Sequence, residues 1–242
     1  MAELDTRAGR GITRGEGTTR LEAFVDAAFA FAVTLLVISS ERMPDSVAGL
    51  LRALKNVPAF AASFAMLALF WYAHVRWSRD YRVTTASATL LSLTLVFLVL
   101  VFVYPLRLLL GTFFAWISGG WLPMPLSDVT GPLPLAWVYM FYGAGFALMS
   151  ACIGGLYLVS WRRRRSSGLL AAAAAGAMAE AVMHLYFVLV ALLSMAVAGL
   201  LHEGSSPWVT ALPGVVYFLL CFSGLVQAWA RRRARAHLTG SG

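Results

Sequence analysis

From Leu21 to Ser40 the chain carries only two ionisable groups, Glu22 and Asp26, and from Ala27 to Ser40 it carries none. A helix of about 20 residues, rising about 1.5 Å per residue, spans the roughly 30 Å hydrocarbon core of a bilayer. Further apolar runs follow, several of them of 18 residues or more. Hydrophobic residues make up 60% of the 242 and charged residues only 12%. Soluble domains average about 25% charged, which excludes a soluble globular class. The sequence therefore predicts an all-α membrane protein with one membrane domain over residues 20–230. The first nineteen residues are polar and arginine-rich, which excludes a signal peptide, and they read as a mobile tail; residues 231–242 form a second, basic tail.

Six spans are expected. The first reaches about Ser40. In the link that follows, Val47, Leu50, Leu51 and Leu54 have helical spacing and predict a short interfacial helix. Asn56 and Pro58 suit the cap and first turn of a second span, Pro58 to Val75. The third runs from Ala86 to about Leu110, with Pro105 bending its outer end. Residues 111–133 are the longest link, with Trp116, Trp121, Pro123, Pro125, Asp128 and Pro132, and read as a surface loop with aromatics at the interface. The fourth span is Leu135 to Trp161 and the fifth lies within Leu169 to Leu201. The sixth is Val209 to Ala230. Gly154-Gly155 is the one expected interruption. Cys152 and Cys221 fall inside spans, where a thiol acts as apolar filler, and no disulfide is expected.

The basic residues fix an orientation. With the N-terminus cytoplasmic, fifteen of the nineteen lysines and arginines lie inside: Arg7, Arg10, Arg14, Arg20, Arg76, Arg79, Arg82, Arg162 to Arg165, Arg231 to Arg233 and Arg235. Arg42, Arg52, Lys55 and Arg107 count outside. This is the positive-inside distribution, with both termini cytoplasmic. The net charge of +8 is thus explained by topology and lipid headgroups, not by nucleic acid. The expected location is a cell membrane, multi-pass, and a bacterial plasma membrane fits best.

Some residues need a further reason to be where they are. An acid at the edge of a membrane helix costs free energy unless something compensates it, which applies to Asp26. On a helical wheel Leu35 and Ile38 each fall within about 40° of Phe31, with Thr34 on the flank, and Asp26 lies about 140° from Phe31. The second span ends in Trp71 and His74, at the depth of Asp26 if the two helices are antiparallel. Ser63, Phe70 and His74 share one stripe. Glu180 and His184, at an i, i+4 spacing, share a face and suit either a structural pair or a proton path. Two such ligands without a third are too few for a metal. No nucleophile, base and orienting group stand at motif spacing, so an enzyme is not expected.

Arg20, Phe24, Asp26 and Thr34 resemble the signature of the transmembrane protein 175 family, six-helix potassium channels of endolysosomes and prokaryotes. That signature is an Arg, then Phe-Ser-Asp opening an apolar helix that carries a Thr. Ser63-Phe64 and Trp71-x-x-His74 resemble the family's second helix. The resemblance implies a homotetramer in which the first helices line a central pore, and a constriction of bulky apolar side chains in place of a carbonyl filter. It assigns the constriction to Phe31, Leu35 and Ile38, places Thr34 beside the path as a selectivity residue, and groups Arg20, Asp26, Trp71 and His74 as an inter-helix polar network. It implies permeant potassium and other monovalent cations, lipid contacts, and no cofactor. Two positions depart from the pattern. Val25 replaces the signature Ser, and Phe31 stands where Ile or Leu is usual, so that four aromatics would narrow or close the pore. Two other readings remain: a proton-coupled secondary transporter using Glu180 and His184, and a non-conducting scaffold sealed by Phe31.

Overall fold

The computed structural model describes residues 20–38, 45–125, 131–166 and 171–239, without the side chains of 165–166, 171–172 and 234–239. The expected tail 1–19, Glu41, Arg42, Asp128 and the final residues 240–242 lie outside the described residues. The chain is helical in every described element: α1 (Arg20–Ile38), α2 (Val47–Leu54), α3 (Val57–Tyr81), α4 (Ala86–Ile117), α5 (Pro132–Ser166), α6 (Ala171–Ala198), α7 (Pro207–Val216), a 3₁₀ turn (Tyr217–Phe222) and α8 (Ser223–Thr239). Among the described residues six helices are long and apolar enough to cross a membrane, the sixth being α7 and α8 joined through the 3₁₀ segment.

Local chemistry sets the boundaries. Ser46 Oγ accepts from the Gly49 N–H at 3.1 Å and starts α2. Thr85 Oγ1 accepts from the Ala88 N–H at 3.2 Å and starts α4. Asn56 precedes α3 but its side chain makes no capping bond. Its backbone is already helical (φ −81°, ψ −10°), whereas a capping side chain needs an extended backbone. Helix α4 continues beyond the expected Leu110 to Ile117 with Pro105 inside it, so Arg107 lies within the helix and not in a link. It ends where Gly119 takes φ +63°. There the Gly120 N–H reaches Ala115 O at 2.9 Å and the Gly119 N–H reaches Trp116 O at 3.1 Å, the paired bonds that close a helix on a left-handed glycine. Helices α3 and α5 also outrun their apolar segments, because arginine is a good helix former and its long stem carries the charge to the headgroups.

Small residues bring the central helices together, since lipid offers no hydrophobic drive between them and close contact must supply the attraction. A Cβ at Gly143 would lie 2.5 Å from Met195 Cγ of α6, and one at Gly145 would lie 2.5 Å from the Phe102 ring of α4. Gly154 and Gly155 do not interrupt α5; they receive His184 of α6 and Leu91 of α4. The irregular backbone lies in the sixth span. Pro213 sits inside α7, and the 3₁₀ turn follows four residues later. Ser194 Oγ donates to Pro213 O at 2.8 Å and the Tyr186 hydroxyl to Leu219 O at 2.7 Å. Two hydroxyls of α6 thus satisfy carbonyls that lipid cannot. Cys152 is buried and Cys221 exposed, both as free thiols.

The two ends of the bundle differ. One gathers the start of α1, the ends of α3 and α5, the start of α6 and α8, as the Glu22–Ser78, Arg164–Asp80 and Glu180–Arg231 bonds require. This end holds Arg20, Arg76, Arg79, Arg82, Arg162 to Arg164 and Arg231 to Arg233. At the other end Lys55 Nζ donates to Trp121 O at 3.2 Å and lies 4.8 Å above that indole, and Trp116 meets Trp208 edge to face at 5.8 Å.

Candidate functional site

Helix α1 is covered on one side only. Val25, Phe29, Ala32 and Leu36 are buried, spaced 4, 3 and 4 apart, and make one stripe into the core shared with α3 and α4. About 180° around the helix lie Ala27, Phe31, Thr34 and Ile38. Phe31 is 55% and Ile38 69% exposed, and Ala27 and Thr34 are exposed with them. Leu35 stands at the margin of this face, partly buried against the core. Thr34 Oγ1 donates to Ala30 O at 3.0 Å, so its hydrogen is engaged and its lone pairs remain available. Val25 is fully buried among apolar side chains.

Helix α3 holds this helix through directional bonds. Trp71 Nε1 donates to Asp26 Oδ1 at 2.8 Å, and the Ser78 hydroxyl donates to the Glu22 carboxylate. His74 is 2% exposed and turns elsewhere: its Nε2 pairs with Ser92 Oγ of α4 at 3.0 Å. Trp77 Nε1 donates to Ser160 Oγ of α5 at 2.9 Å. Within eight residues α3 is therefore tied to α1, α4 and α5. Of the four network residues, the structure brings Asp26 and Trp71 together, sends His74 to α4, and leaves Arg20 exposed at the first turn of α1. Ser63 is buried on the stripe it shares with Phe70 and His74, and its hydroxyl donates to Ala59 O at 2.7 Å.

Glu180 and His184 share a face of α6 but are not joined side chain to side chain. His184 Nδ1 bonds the Glu180 carbonyl at 2.9 Å, and its ring stacks on Tyr157 at 5.8 Å. The Glu180 carboxylate, 3% exposed, instead takes Arg76 of α3 at 2.5 Å and Arg231 of α8 at 3.0 Å, with Gln227 at 2.8 Å. Charge decides between the partners: two guanidinium groups outcompete one imidazole for a buried carboxylate. Among the described residues no cluster of three or more His, Cys, Asp or Glu is placed to hold a metal ion.

Glu22, Ser78, Ser92, Arg76, Gln227 and Arg231 were not singled out by the sequence. For the first two a signal existed. Glu22 lies one turn before Asp26 and Ser78 one turn after His74, so the antiparallel pairing that matches Asp26 to the Trp71–His74 turn also matches Glu22 to Ser78.

Residues 20–105 match the family model described as endosomal/lysosomal potassium channel TMEM175. A protein of Marivirga tractuosa named potassium channel is 39% identical over 107 residues, which cover 44% of this chain and 42% of that relative, well under half of its length. A crystal structure of a variant of the potassium channel MtTMEM175, in complex with a nanobody–MBP fusion protein, superposes with a TM-score of 0.74 at 25% identity. That match covers 95% of this chain and 96% of the other.

Proposed function

From a chain similar to the TMEM175 family in sequence over residues 20–105 and in fold over nearly its whole length, we propose a potassium-permeable channel of a cell membrane, built from four copies with α1 around the axis. The observation that carries the reading is the bare face of α1, where Ala27, Phe31, Thr34 and Ile38 lie opposite the buried stripe. In a lone chain that face meets lipid; in a tetramer it encloses a path.

Phe31, Leu35 and Ile38 from four copies form a narrow apolar tube. It replaces none of a potassium ion's hydration shell, so its width and wetting set the barrier. Thr34 contributes the oxygen beside the path: with its hydrogen on Ala30 O, it offers lone pairs to a passing cation. Asp26, tied to Trp71, holds the helix and does not touch the ion. Arg20 and His74 support the same end, His74 through Ser92. Membrane lipids surround the assembly.

The test is potassium against sodium flux into liposomes holding gel-filtered tetramers. The wild type passes potassium, and Phe31→Ala raises the rate and weakens discrimination, with Leu35→Ala and Ile38→Ala following in the same direction. Thr34→Val alters selectivity more than assembly. Flux that appears only after Phe31→Ala identifies a sealed scaffold; unchanged rate and selectivity in a conducting Phe31→Ala protein removes α1 from the constriction.

A further inference from the structure

The carboxylate of Glu180 joins elements that otherwise belong to different parts of the bundle. Arg76 reaches it from α3, and Gln227 and Arg231 reach it from α8, all three onto Oε1. Helix α8 is the more exposed partner: within Ser223–Arg233 Ala230 alone is buried, while Glu180 is 3% exposed. Helix α3 carries Trp71 five residues before Arg76 and Ser78 two residues after it, and these hold Asp26 and Glu22 of α1. Two sets of polar bonds, α8 to α3 through Glu180 and α3 to α1, therefore meet on the backbone of α3.

We infer that Glu180 is a positioning residue for the pore helix, clamping α8 to α3 so that the place of α8 sets the place of α1. The inference rests on the reading of α1 as the pore helix. A buried carboxylate shared by two arginines suits this role. Loss of one arginine leaves the charge under-compensated, so α6 and the remaining partner must readjust. Arg76 and the bonds that hold α1 stand on the same helix, within two turns of one another. Arg231 keeps 47% of its side chain exposed, so the far end of the line lies open to whatever approaches α8.

The experiment uses the full-length protein in liposomes, with Cys152 and Cys221 replaced by Ser and spin labels on Ala23→Cys of α1 and Arg162→Cys of α5, diluted with unlabelled protein. Ala23 and Arg162 are exposed and outside the node. Arg231→Gln should displace the label-to-label distance, Arg231→Lys should restore it, and the exposed neighbour change Arg232→Gln should leave it unchanged. Should Arg231→Gln assemble poorly, Gln227→Ala is measured in its place. Potassium flux is read on the same samples, where Arg231→Gln should change the rate by roughly 2- to 30-fold, the range of couplings carried through such networks. Its effect should be non-additive with that of Trp71→Phe. An unmoved distance in Arg231→Gln overturns the inference whether or not the protein conducts. A moved distance in a protein that passes no potassium sustains the clamp and removes the channel reading instead.

Discussion

At the scale of single residues, the strongest bonds in the membrane region involve charge. Trp71→Phe keeps the ring and deletes the N–H that reaches Asp26, so it should cost about 1.5–3 kcal/mol, the range for a hydrogen bond to a charged group. Denaturation in detergent micelles would register this as a lowered midpoint. His74→Phe should leave the Asp26 contact intact, because His74 serves Ser92; a double cycle of Asp26→Ala with His74→Phe should be close to additive. Removing Arg76 and Arg231 together strands Glu180 in the bundle and should cost about 3–5 kcal/mol. Either single change should cost less. Depth was legible in these residues and rotation was not. Charge at the span ends placed Asp26, Trp71 and His74 at one level. Trp71 and His74, however, point about 60° apart on the wheel, and the turn of α3 that aims one of them at α1 depends on packing against α4 and α5. The i, i+4 rule likewise put Glu180 and His184 on one face, while the arginines that claim Glu180 come from helices far away in sequence.

Among the elements, the sixth span departs most from an ideal helix. Ser194→Ala and Tyr186→Phe each free a carbonyl of that span and should each cost about 1 kcal/mol. Amide hydrogen exchange should rise over residues 213–222 and not over α4. Helix α5 has the opposite vulnerability: Gly143→Val would press a side chain into Met195 and should part α5 from α6 at that level. Hydropathy revealed both spans as long apolar runs, and Pro213 stood in plain view. Hydropathy does not register backbone geometry, which here depends on two hydroxyls presented by a neighbouring helix. The glycines of α5 misled in the other direction. Gly is a helix breaker in water, yet between packed membrane helices it is the residue that lets them touch.

For the molecule as a whole, periodicity and charge carried nearly all of the architecture, since six long apolar runs with basic ends admit few arrangements. A cysteine at Ser166 should be labelled only from the cytoplasm, and labelling from outside would reverse the orientation assigned from the arginines. Assembly lay beyond periodicity, because a bare face on α1 reads the same whether lipid or another copy covers it. The Glu180 node carries a consequence for synthesis. A ribosome delivers Arg76 to the bilayer before Glu180 exists, and Glu180 before Arg231. For the interval between α6 and α8 the carboxylate has one guanidinium where the finished protein supplies two. On the clamp inferred above, final seating of α1 waits on insertion of the sixth span. Nascent chains arrested between residues 200 and 225 should remain more accessible to quality-control proteases than full-length chains.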